Sequence, residues 1–209
     1  MNIINLCKKI NEIVHCNETH TLGEALGFLE NSGYRCIPIL DEKEERFLGN
    51  IYTSNIYECL YKQTGKATDS VMSLVKNQDT FVYEHSSFFN VFTNIRSLPF
   101  LPILNEEDHF VGLLTHSQVI DILEDIWGIN DSSYALSIIC PEYKGALKKI
   151  TNIVNKHTSI QSLATFDNKQ IMSRRILLTL PKETSEEMKN SIVESLNTAG
   201  FRIFDIEQK

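Results

Sequence analysis

The sequence predicts an α+β chain built from a duplicated helix–strand–strand–helix unit followed by a separate β-α-β-β-α-β unit. Three observations carry this. The segments Thr21–Ile56 and Ser87–Val119 repeat four elements in the same order. Asn130-Asp131-Ser132-Ser133 forms a turn-rich junction. Beyond it the rhythm changes to strands and helices in a split β-α-β order.

The first copy opens with Leu22, Ala25, Leu26 and Leu29 at helical spacing, and the second with Phe88, Val91, Phe92 and Ile95. Each copy continues with a short apolar strand holding a proline, Cys36-Ile37-Pro38-Ile39-Leu40 and Phe100-Leu101-Pro102-Ile103-Leu104. Proline cannot donate to a sheet ladder, so Pro38 and Pro102 are expected at strand starts or on edges. The charged stretches Asp41–Arg46 and Asn105–His109 predict exposed hairpins. A second strand follows, expected to end at Gly49 and Gly112, then a polar turn into a helix. In the second copy Thr115 stands where it can cap that helix. Val119, Ile120, Leu123, Ile126 and Trp127 are its expected inner stripe, with Asp121, Glu124 and Asp125 opposite and Gly128 as its end.

After the junction, Tyr134–Ile139, Ile160–Phe166, Arg175–Leu180 and Phe201–Ile206 read as strands. Lys144–His157 reads as a helix with Leu147, Ile150 and Val154 inward. Ser185–Ala199 reads as another, with Met188, Ile192 and Leu196 inward and Gly200 as its stop. A turn is expected at Asp167-Asn168-Lys169. The expected divisions are residues 1–62, 63–128 and 134–209.

Composition narrows the function. The 209 residues are 42% hydrophobic and 22% charged, enough for a real core, and the net charge is −7. An acidic chain is not expected to favour nucleic acid or an anionic membrane. No apolar run has the length of a membrane span, and Met1–Cys16 lacks the apolar core of a signal peptide, so a cytoplasmic setting is expected. The five scattered cysteines form no C-x-x-C pair and read as reduced thiols. The six histidines have no metal-ligand spacing, so no metal is expected. The sequence shows no nucleophile elbow, Cys–His signature or phosphate loop. No catalytic residue is assigned and no cofactor is expected. Lys148-Lys149 and Arg174-Arg175 read as solvated charge pairs.

The duplicated unit resembles a pair of cystathionine-β-synthase (CBS) domains. The motif G-h-h-T-x-x-D is matched by Gly112-Leu113-Leu114-Thr115-His116-Ser117-Gln118, and more loosely by Gly49-Asn50-Ile51-Tyr52-Thr53-Ser54-Asn55. The last unit is similar to an ACT domain of ferredoxin-like order. Its first loop, Pro141–Leu147, keeps Gly145 and Leu147 of a P-G-x-L turn, with Lys144 in place of the proline. The layout resembles small bacterial regulators of the acetoin-utilisation or cyclic-di-AMP receptor type.

This resemblance implies a sensor and not an enzyme. CBS pairs hold adenine nucleotides in clefts between the repeats, and two chains commonly form a flat disc. The implied ligand residues are Thr115, His116 and Gln118 with Thr53 and Asn55, shaped by Pro38 and Pro102. Gly145 is the implied ACT effector position. The implied partners are an adenine nucleotide or cyclic di-AMP, a second copy of the chain, and an unidentified protein target. The sequence departs from the motif where the ribose-binding Asp is replaced by Gln118 and Asn55, and the first copy has Tyr52 where Thr is expected. An amide cannot offer two charged acceptors to a diol. Two other readings therefore stand beside the first: an interaction scaffold with degenerate clefts, or an amino-acid sensor acting through the ACT unit.

Overall fold

The structure, a computed structural model, describes residues 6–141, 144–167 and 173–208. Contacts divide the chain into two compact units, Met1–Val119 and Ile120–Lys209.

The first unit holds both repeats. The first runs β1 (Cys16–Asn17), α1 (Leu22–Ser32), β2 (Cys36–Leu40), β3 (Phe47–Tyr52) and α2 (Thr53–Tyr61). The second runs β4 (Val82–Tyr83), α3 (Phe88–Asn94), β5 (Phe100–Leu104), β6 (Phe110–Thr115) and α4 (His116–Trp127), the division between units falling inside α4. Each repeat forms a three-stranded sheet, β1-β2-β3 and β4-β5-β6, with one parallel and one antiparallel pairing. The register shifts at matching places, between Ile39 and Leu40 and between Ile103 and Leu104. That shared irregularity confirms the duplication at the backbone level.

Helix ends follow local chemistry. Thr21 caps α1 in a capping box with Glu24, and Gly33 closes it at φ +71°. The α4 helix ends as expected at Gly128, φ +64°: the Ile129 N–H donates to the Glu124 carbonyl and the Gly128 N–H to the Asp125 carbonyl, a Schellman closure.

Several packing expectations need correction. Pro38 and Pro102 lie in mid-strand, and β2 and β5 are the central strands of their sheets. They are tolerated because their partner residues Asn50 and Leu113 turn their backbone N–H groups outward, to the Lys76 and Lys8 carbonyls. The prolines therefore face the short parallel strands β1 and β4, which pair only from the residue after each proline onward. No ladder bond is lost. Gly49 and Gly112 lie inside their strands, which run on to Tyr52 and Thr115. Phe92 is exposed, as is its neighbour Phe89. On α4, Ile120 and Ile126 are exposed while Ile122 is buried. In the last unit Leu147 is exposed and Ala146 takes its place in the core.

Two segments cross between the repeats. Lys8 pairs with Leu113 of the second repeat, and Lys76 pairs with Asn50 of the first. Each repeat's lead-in therefore straps the other repeat's sheet. Between the sheets, Cys36 and Leu40 from the first repeat pack with Phe100, Leu104, Phe110 and Leu113 from the second.

The second unit runs β7 (Ser132–Pro141), α5 (Ala146–Val154), β8 (Ser162–Asp167), β9 (Ser173–Pro181), α6 (Glu186–Thr198) and β10 (Arg202–Gln208). Its antiparallel sheet has the order β10-β7-β9-β8, the split β-α-β arrangement. Ile150, Ile192 and Leu196 of the helices pack on Leu136, Ile138, Ile176 and Leu178 of the sheet. Asn168 and Lys169 of the expected turn lie outside the described residues, as do Glu142 and Tyr143 of the first loop.

Candidate functional site

A cleft of about 360 Å³ opens in the repeat unit. One wall is the start of β2 with the turn before it, Tyr34, Arg35, Ile37 and Pro38. Facing it are Leu113 and Thr115 from β6 with His116 and Ser117 from the first turn of α4. The N-terminal strap, through Lys8, Glu12, Ile13 and Val14, supplies the third side. Strap and strands are joined by backbone bonds. Lys8 N–H donates to the Leu113 carbonyl at 2.9 Å, and Leu113 N–H to the Lys8 carbonyl at 3.1 Å.

Gly112 makes this closeness possible. A Cβ on it would stand 2.2 Å from the Lys8 carbonyl oxygen. Gly49 has the same role, with the Lys76 carbonyl oxygen 2.8 Å from an added Cβ and a φ of +141°. The motif glycines thus serve the crossing straps and not a turn.

Thr115 and Gln118 form a capping box. The Thr115 N–H and hydroxyl donate to Gln118 Oε1 at 2.9 and 3.0 Å, and the Gln118 N–H donates to Thr115 Oγ1 at 3.4 Å. Gln118 Nε2 donates to the Leu6 carbonyl. The glutamine side chain is committed to the protein at both ends, and it does not line the cleft. His116 is exposed at the mouth. Its Nδ1 lies 3.1 Å from the Pro99 carbonyl, an acceptor, which places the hydrogen on Nδ1.

The first repeat's counterpart residues behave differently. Thr53 donates its N–H to the Arg35 carbonyl at 3.1 Å and its hydroxyl to the Tyr34 carbonyl at 3.3 Å. Asn55 Oδ1 accepts from the Ser54 hydroxyl at 3.4 Å. Tyr52 packs against the inter-sheet cluster, and its hydroxyl donates to Asn77 Oδ1 at 2.8 Å. Burial, followed by the neighbouring Cys36, pushes its phenol up to about 12, so it stays a neutral donor near pH 7.

Of the sequence-derived residues, the cleft gathers Thr115, His116 and Pro38. Its described lining does not include Gln118, Thr53, Asn55 or Pro102. Gly145 lies in the other unit, at φ +96° before α5. The cations Lys8 and Arg35 escaped the sequence reading. Arg35 could have been found, because it stands three residues before the strand proline. Lys8 carried no signal, because its sheet partner is distant in sequence.

All five cysteines are buried thiols. Burial pushes Cys36, at the cleft wall, up to about 12, far from a reactive thiolate at neutral pH. Among the described residues, no group of three His, Cys, Asp or Glu side chains is placed to hold a metal, and no helix is long and apolar enough to cross a membrane.

Residues 7–62 match the CBS domain family. No curated protein matches the sequence. Among solved structures, a CBS domain-containing protein from Bacillus anthracis is 25% identical, with a TM-score of 0.53 over 59% of this chain and 93% of that one. A CBS domain pair/ACT domain protein from Thermotoga maritima is 18% identical, TM-score 0.51, covering 59% of this chain and 96% of that one. The CbpB protein of Listeria monocytogenes, solved in complex with c-di-AMP, is 17% identical, TM-score 0.52, covering 58% and 94%. The fold is that of tandem CBS repeats followed by an ACT-like unit.

Proposed function

We propose that the chain is a regulatory sensor, not an enzyme, whose inter-repeat cleft takes an adenine nucleotide, with cyclic di-AMP as one candidate. The observation that carries this reading is the cleft itself. It is of small-molecule size, and Lys8, Arg35 and the first turn of α4 all line it. A helix start and two cations suit phosphate. Gln118 is occupied by its capping box, so the ribose end of the ligand is posed differently from the T-x-x-D arrangement. The CbpB complex with c-di-AMP supports the reading through its shared fold.

The expected divisions at residues 1–62, 63–128 and 134–209 and a cytoplasmic location belong to the same reading. So does a homodimer, supported by the exposed Tyr57 and Tyr61 of α2 and Phe89 and Phe92 of α3. The regulatory mechanism is differential affinity of the ligand for two arrangements of that dimer, with the ACT unit passing the result to a protein target.

Calorimetry with AMP, ADP, ATP, cyclic di-AMP and S-adenosylmethionine tests the proposal. A phosphate-bearing adenine nucleotide is expected to bind, and Lys8→Glu with Arg35→Glu is expected to weaken it at least roughly tenfold. No heat from any of the five at millimolar concentration ends it.

A second reading, a scaffold that has lost its ligand, is favoured by Tyr52 filling the Thr position of the first repeat. It expects a stable protein partner captured from lysate without added nucleotide. Amino acids added to the same calorimetric panel test the reading in which the ACT unit senses them near Gly145.

A further inference from the structure

The ACT-like unit has an open groove of about 720 Å³ between α5 and α6. It lies on the helical side of the sheet, and the nucleotide reading makes no use of it. From the structure we infer that this groove is a docking site for an acidic, extended peptide segment of a partner protein.

Charge and spacing carry the inference. The α5 wall presents Lys148, Lys149 and Lys156, and the α6 wall presents the single carboxylate Glu194. The chain as a whole is acidic, with a net charge of −7, so a local excess of cations runs against its composition. The three lysines are not equivalent. Lys149 is engaged: its Nζ donates to the Ala199 carbonyl at 3.0 Å and lies 5.6 Å from the centre of the Phe201 ring. Lys148 and Lys156 are exposed and have no ion-pair partner among the described residues. Lys148 reads in the sequence, with Lys149, as ordinary solvated charge. The groove changes that, because Lys148 and Lys156 line one concave wall.

Their separation selects the ligand. Lys148, Asn152 and Lys156 succeed one another at intervals of four along α5 and the turn after it, which places the outer two roughly 12 Å apart at helical rise. An extended peptide repeats a side-chain direction every second residue, so acids at positions i and i+4 are roughly 13 Å apart. Asn152, Ser195 and Thr198 offer side-chain hydrogen bonds to peptide backbone between those contacts, and Ile153 and Ala199 add apolar surface. Glu194 repels acidic side chains from the α6 wall and so directs them to α5. A lone amino acid or a single phosphate spans too little to meet both free lysines.

The test is fluorescence anisotropy of labelled hexaglutamate with the whole chain at low salt. Saturable binding is expected, at least roughly tenfold weaker in Lys148→Glu/Lys156→Glu and unchanged in Lys62→Glu/Lys66→Glu, which reverses as many exposed charges elsewhere. Hexaglutamine is expected not to bind. Circular dichroism confirms that the surface variants stay folded. The proposal is overturned if hexaglutamate fails to bind, or if the α5 double variant binds it like the parent. It is also overturned if free glutamate or inorganic phosphate displaces the peptide at equal charge concentration, which indicates a small-anion site. Binding of a single-stranded oligonucleotide in preference to hexaglutamate overturns it in favour of nucleic acid. None of these outcomes depends on whether the cleft of the repeat unit binds a nucleotide.

Discussion

Gly112→Ala is expected to destabilise the repeat unit by about 3 kcal/mol and to remove ligand binding in the cleft. The added Cβ would meet the Lys8 carbonyl oxygen at 2.2 Å and Cys7 Sγ at 3.1 Å. The first of these is backbone, which cannot rotate away. The strap must therefore lift from β6. Lifting breaks the two Lys8–Leu113 backbone bonds and strains the Gln118 contact to the Leu6 carbonyl. It also withdraws Cys7 from the cluster it shares with Val91, Leu101 and Leu114. Each lost bond costs about 0.5–1.5 kcal/mol, and overpacking a strand adds a similar amount. For a chain of this size that is roughly 6–12 °C in the midpoint of the repeat unit's transition. Lys8 and Glu12 leave the cleft with the strap, so nucleotide affinity falls with stability. Gly27→Ala is the control. An added Cβ at Gly27, inside α1, meets nothing within 4 Å among the described residues, and alanine there is expected to gain about 0.5–1 kcal/mol. Equal midpoints for the two variants in calorimetric scans would refute the close-approach argument.

That contrast shows what the sequence could reveal. The repeat was legible because each copy carries the same apolar periods, and periodicity is a local property. The end of α4 was legible because Gly128 acts on its own neighbours. The straps were not legible. Lys8 and Lys76 pair with residues of the opposite repeat, and nothing local records a partner that far away. The prolines were misplaced for the same reason: their tolerance depends on where β1 and β4 begin to pair. On α4, Val119, Ile120, Ile122, Leu123 and Ile126 put apolar side chains on more than one face, so periodicity alone could not choose the buried one.

The candidate site was half legible. The second-repeat motif located Thr115 and His116 in the cleft. Its final residue was weighed as a ribose contact because the resemblance pointed there. Yet Thr-x-x-Gln is also a capping-box pattern, the same one that Thr21 and Glu24 satisfy in α1. The local rule described Gln118 better than the family rule did. The two cleft cations came from segments that carry no motif, and only the fold brings them to one cleft.

The largest stabilisation expected from a single change is at Asn50. Its side chain is fully buried, and among the described residues neither Oδ1 nor Nδ2 makes a hydrogen bond of good geometry, although the nearby Tyr52 phenol feels the amide. Only its backbone is satisfied, through paired bonds to Lys76 at 2.7 and 2.9 Å. The corresponding residue of the second repeat is Leu113, also one residue past the motif glycine and also held by a strap. Leucine repeats the heavy-atom skeleton of asparagine, branched at the same carbon, and contains no polar atom. A buried amide without partners costs about 1–3 kcal/mol, so Asn50→Leu is expected to raise stability by about that much, a midpoint gain of several degrees. Asn50→Asp places a carboxylate in the same enclosure and is expected to lower the midpoint well below the parent at neutral pH. Denaturant titration and calorimetric scans of both variants decide the matter. A gain in Asn50→Leu with nucleotide affinity unchanged makes the amide a stability defect of the inter-sheet core. A loss of stability in Asn50→Leu refutes that reading, because only an amide already satisfied in solution could cost free energy to remove. If stability rises but nucleotide affinity falls, the group that satisfies the amide is the ligand, and the first repeat then takes part in binding through Asn50 and not through Thr53 or Asn55.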